Sequence, residues 1–99
     1  MKNLNDKNID FLVESVLAIQ SPEECYNFFE DLFTINELQS ISQRLVVAKM
    51  LTERHVYNDI VKQTGASTAT ISRVNRSLSY GTGGYQKIFD RLSDKDDKK

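Results

Sequence analysis

The 99 residues, 27% charged and 39% hydrophobic with 4 glycines and 1 proline, have the length and composition of one globular domain, not of a disordered chain. No apolar run nears the roughly 20 residues that span a bilayer, and the first ten residues lack a signal peptide's apolar stretch. The single cysteine, Cys25, has no intrachain partner, so a disulfide scaffold is excluded and a cytoplasmic location is expected.

The net charge of −1 conceals a gradient. Residues 1–40 set Lys2 and Lys7 against eight acids, whereas residues 41–80 set six bases against Glu53 and Asp59, a local balance of +4. Phosphate contact needs such a local patch, whatever the total; solvated surface charge would give the same counts. A chain this short buries only about 60–70% of its unfolded surface, which favours an obligate dimer.

The periodicity predicts an all-α fold of six helices and no strand. Helix one is expected over about 6–19, where Ile9, Leu12, Val13, Val16 and Leu17 form one stripe and Phe11, Ala18 and Ile19 lie off it. Ser21-Pro22-Glu23-Glu24 opens helix two with a capping box and proline at its first position, and the segment is expected to bury Cys25, Phe28, Phe29, Leu32 and Phe33. Thr34-Ile35-Asn36-Glu37 is a second capping box. It opens helix three, with Leu38, Ile41, Leu45, Ala48 and Leu51 on one face and Val46, Val47 and Met50 on others. A helix apolar almost all round is buried on several sides, and a second subunit is the expected cover. Gly81-Thr82-Gly83-Gly84 is a joint before a last helix carrying Tyr85, Ile88, Phe89 and Leu92. The expected domain is residues 1–92, followed by a frayed, charged tail over 93–99.

Tyr57 to Leu78, YNDIVKQTGASTATISRVNRSL, carries the pattern of a helix-turn-helix. Ile60 and Val61 form the first helix's apolar face, Gly65 can end it in the left-handed region, Ala66 packs into the turn and Ser67 caps the next helix. Ile71, Val74 and Leu78 then face inward. Thr68, Ala69, Ser72, Arg73 and Arg76 are left outward, a small hydroxylated surface followed by two arginines. Hydroxyls can bond base edges or phosphates, and the methyls of Thr68 and Ala69 can meet thymine. With Asn58, Ser67 and Thr70, these are the candidate contacts to double-stranded DNA. A helical hairpin used for protein contact would explain the apolar spacing, but not the concentration of Ser, Thr and Arg.

Other chemistry is thin. His55 has no second ligand at metal spacing, Cys25 lies on an apolar face as a core residue would, and the glycines 81–84 form neither a Walker nor a dinucleotide motif. No catalytic set can be assembled, so an enzyme is not expected.

Two stretches, LFTINELQSISQR (32–44) and TGASTATISRVNRSL (64–78), resemble the Trp repressor superfamily, in its shorter YerC/YecD-like branch. The resemblance implies an intertwined homodimer whose N-terminal helices interlock. It also implies a transcriptional regulator, a repressor by expectation, that reads a pseudo-palindromic operator with half-sites roughly 34 Å apart. In that family an amino-acid corepressor lies between two arginines near a Thr and a Ser, positions matched here by Arg44, Arg73, Thr34 and Ser77. Val74 departs from the pattern, because tryptophan-binding members have glycine there and a β-branched side chain intrudes on the ligand ring. Three readings stay open on the residues alone: a DNA-binding regulator, a helical interaction module without DNA binding, and an amino-acid-responsive repressor.

Overall fold

The computed structural model describes residues 6–97, with side chains described through Lys95. Lys98 and Lys99 of the expected tail lie outside the described residues. Six helices follow in order: α1 Lys7–Leu17, α2 Pro22–Leu32, α3 Ile35–Thr52, α4 Tyr57–Thr64, α5 Thr68–Tyr80 and α6 Gly84–Asp97. No strand occurs among the described residues. The chain divides into two compact units, residues 1–38 and 39–99.

In the first unit, local capping defines the helix starts. The Asp6 carboxylate accepts from the Asn8 N–H at 2.7 Å and the Ser21 hydroxyl from the Glu24 N–H at 3.1 Å. The Glu24 carboxylate closes its box one residue early, on the Gln20 N–H at 3.0 Å. At Thr34 both arms form: the Thr34 hydroxyl accepts from the Glu37 N–H at 3.1 Å, and the Glu37 carboxylate accepts from the Thr34 N–H at 2.9 Å. Packing is looser than the sequence suggests. Cys25, Phe28, Phe29 and Phe33 are half-buried and Leu32 is exposed, so none of the five reaches the burial expected of it. Phe29 and Phe33 meet edge to face at 5.4 Å, yet no residue of α1 or α2 is fully buried. Two eleven-residue amphipathic helices supply more apolar stripe than their own unit can cover. Phe11 and Leu17 stay 71% and 78% exposed.

The second unit holds the core: Val47, Ala48, Met50, Ile60, Ala66, Ile71, Val74 and Phe89, with Leu51, Val61, Leu78 and Tyr85 packed against it. The C-terminal half of α3 splits its apolar residues. Val47, Ala48 and Met50 turn inward, while Leu45 and Val46 are about half exposed and line a groove of about 580 Å³ with Lys49, Phe89 and Leu92. The helix ends in a Schellman turn: the His55 N–H donates to the Met50 carbonyl at 3.1 Å and the Arg54 N–H to the Leu51 carbonyl at 3.0 Å. This puts Arg54 at φ +67°, a conformation costing a side-chain-bearing residue roughly 1–2 kcal/mol. Beside it, Glu53 lies 3.8 Å from Lys49 and 3.7 Å from His55; the exposed Lys49–Glu53 pair contributes at most about 1 kcal/mol.

Gly81 caps the end of α5, where an added Cβ would collide with the Ser77 carbonyl oxygen. The tail differs from expectation. Helix α6 runs on to Asp97 instead of fraying from Ser93, since no glycine or proline follows Gly84 to stop it.

Candidate nucleic-acid interface

Helices α4 and α5 form the helix-turn-helix, and each joint between them has a local cause. Gly65 ends α4 at φ +73°, its N–H donating to the Val61 carbonyl at 2.9 Å. Thr64 braces the turn from inside: its hydroxyl donates to the Ile60 carbonyl at 2.7 Å and accepts from the Ala66 N–H at 3.1 Å. Ser67 then starts α5 by accepting the Thr70 N–H at 3.1 Å. Ala66 is 2% exposed and Ile60 and Ile71 are wholly buried, so the turn is anchored on the core as well as hydrogen-bonded.

At about 100° per residue, Ile71, Val74 and Leu78 fall within about 60° on the inward side of α5. Thr68, Ser72, Arg76, Ala69 and Arg73, in angular order, span about 140° of the other side. All five outward residues are exposed, as is Asn58 on α4. Neither Arg73 nor Arg76 pairs with an acid among the described residues, so each presents its charge at this face. Ser67 and Thr70 behave differently from the other six candidates. The Ser67 hydroxyl donates to the Thr70 hydroxyl at 3.1 Å and Thr70 is half-buried, so the pair sets where α5 begins.

Two residues here escaped the sequence reading. Gln43, on α3, donates its side-chain N–H to the Thr64 carbonyl at 3.0 Å and ties the turn to the preceding helix. No local pattern announces a bond spanning 21 residues. Tyr80, 87% exposed, lies four residues beyond Arg76 on the outward arc, and that spacing was available in the sequence.

The four positions matched to a corepressor site are placed as follows. Thr34 caps α3. Arg44, Arg73 and Ser77 are exposed. Ser77 borders a cavity of about 190 Å³ with Leu51, Asn75, Leu78 and Tyr85, and neither arginine lines it. Val74 is 2% exposed and part of the core, so its side chain has a structural task.

Comparison with known proteins agrees with this geometry. The family model described as Trp repressor protein matches residues 7–93. The chain belongs to the Trp repressor family. Within it, the chain sits in the branch of YerC of Bacillus subtilis (strain 168), to which it is 53% identical over 91 residues, covering 92% of this chain and 88% of that protein. Two crystal structures superpose closely. A TrpR-like protein from Eubacterium eligens gives a TM-score of 0.89 at 52% identity, covering 94% of this chain and 96% of its own. A candidate Trp repressor from Staphylococcus aureus gives 0.88 at 49% identity, covering 93% and 92%. The all-α architecture of this Trp repressor family member is therefore that of the TrpR-like fold, and no helix among its described residues is long and apolar enough to cross a membrane.

Proposed function

We propose that this protein is a sequence-specific, double-stranded DNA-binding transcriptional regulator, a repressor that acts in the cytoplasm as a homodimer on a pseudo-palindromic operator. The observation that carries the reading is the exposed arc of Thr68, Ala69, Ser72, Arg73 and Arg76 on α5, backed by a helix whose opposite face is locked in the core. Small hydroxylated residues at the start of the helix let it sit deep in the major groove, and the two arginines reach phosphate or guanine. Ser67, Thr70 and Asn58 support this face: the first two set the register of α5, and Asn58 contacts phosphate from α4. Homodimerisation is supported by Phe11, Leu17 and Ile35, each more than 70% exposed in the single chain, an apolar load that a second subunit covers.

Selection of bound sequences from random duplex DNA tests the reading. A recovered pseudo-palindrome, bound with an affinity that falls steeply with salt, is expected. Absence of any enriched sequence at low salt, or binding unaffected by changing Thr68, Ser72 and Arg73 together, would defeat it and leave a protein-interaction module.

Arg44 and Arg73, exposed and with no ion-pair partner among the described residues, also support an effector that carries a carboxylate. The buried Val74 argues for an effector other than tryptophan. Repeating the selection with an amino-acid mixture is expected to change the yield of bound duplex; an unchanged yield together with no calorimetric heat would remove the effector.

A further inference from the structure

Arg54 holds the left-handed position of the Schellman turn that ends α3, and local structure calls for that backbone there but not for an arginine. It is the non-glycine residue with positive φ among those described, and its exposed side chain has no ion-pair partner among them. Glycine would close the same Schellman turn without left-handed strain. Local charge does not call for an arginine either, because the adjacent acid, Glu53, already pairs with Lys49.

The position of Arg54 in the motif supplies a reason. It precedes the first residue of α4 by three positions, and α4 has eight residues, about 12 Å of helix at 1.5 Å each. The far end of α4 is the turn that delivers the first residues of α5. The major groove is about 12 Å wide. With the start of α5 in the groove, the start of α4 falls at the groove's edge, where the first helix of a helix-turn-helix crosses the phosphate backbone. A guanidinium on a short, fixed elbow suits a phosphate there, since it can donate two parallel hydrogen bonds.

We propose that Arg54 is a phosphate-contacting residue, and that arginine stands at this left-handed position in place of glycine because the DNA contact needs its guanidinium at the entrance to α4. The inference rests on the DNA-binding reading and adds a contact outside α4 and α5.

Arg54→Gly, Arg54→Ala and Arg54→Lys separate strain from charge. Arg54→Gly is expected to raise the Tm by roughly 4–8 °C while weakening DNA binding, so that lost affinity cannot be lost folding. Each phosphate contact contributes about 0.9 to the slope of log K against log salt. The slope is therefore expected to fall by about 1 per subunit, and affinity at about 0.1 M salt to drop roughly eightfold per subunit, converging with the parent near 1 M. The loss should be equal on the selected duplex and on an unrelated duplex of the same length, because a phosphate contact carries no sequence information. Arg54→Ala should lose the same affinity without the gain in Tm, and Arg54→Lys should keep the slope. A parental slope and affinity in Arg54→Gly and Arg54→Ala would overturn the proposal with the DNA-binding reading intact. Failure of the unaltered protein to bind either duplex would overturn both.

Discussion

Replacing Gly65 with alanine isolates backbone strain at the turn of the helix-turn-helix. Gly65 sits at φ +73°, and a Cβ built on it meets no atom within 4 Å. The added methyl therefore collides with nothing, and the whole cost is conformational. Left-handed backbone costs an L-residue roughly 1–2 kcal/mol, and alanine returns about 0.4–1 kcal/mol by restricting the unfolded chain. The net expectation is a loss of about 1 kcal/mol, or roughly 4–8 °C in Tm for a domain of this size. Asparagine visits the left-handed region more readily, so Gly65→Asn should lose less than half as much. Urea denaturation followed by circular dichroism, at one protein concentration because the stability of the proposed dimer depends on it, measures both. Gly65→Ala as stable as the parent, or Gly65→Asn less stable than Gly65→Ala, would refute the assignment of the cost to φ.

The remaining expectations concern core, cap, interface and dimer. Ile71 is fully buried, so Ile71→Ala should cost about 2–5 kcal/mol and Ile71→Val about 0.5–1.5 kcal/mol in the same denaturation assay. Ser67→Ala removes the cap on the Thr70 N–H and should cost about 1 kcal/mol, again read by urea. If Phe11 and Leu17 are covered by a second copy, Phe11→Glu with Leu17→Glu should halve the mass in sedimentation equilibrium while the helical signal persists; an unchanged mass would place the interface elsewhere. Arg73→Ala and Ser72→Ala should each cost about 1–3 kcal/mol of discrimination if they touch bases, measured as the ratio of affinities for selected and scrambled duplexes.

Much of this protein was legible in its sequence because the deciding interactions are short. Asp6, Ser21, Thr34 and Ser67 each start a helix through hydrogen bonds reaching two or three residues along the chain. Gly65 ends α4 through its own φ. Such features depend on residue type and spacing, and they place both helices of the helix-turn-helix without knowledge of the rest. Burial is different, because it depends on what arrives from elsewhere. The pattern on α3 marks Leu45, Val46 and Val47 alike as apolar, and packing against α4, α5 and α6 selects Val47 for the core while leaving Leu45 and Val46 half exposed. Phe28 and Phe29 read as core residues, yet within their own unit they are only half covered. The bond from Gln43 to Thr64 and the left-handed backbone at Arg54 likewise belong to the assembled fold. The first joins residues far apart in the chain, and the second follows from how α3 must end for the chain to turn into α4. Where helices begin, where the turn lies and which side of α5 is polar follow from residue order, since each is settled within about one helical turn. Which apolar stripes are satisfied within one chain and which remain open emerges from packing, since that is a property of neighbours and not of spacing.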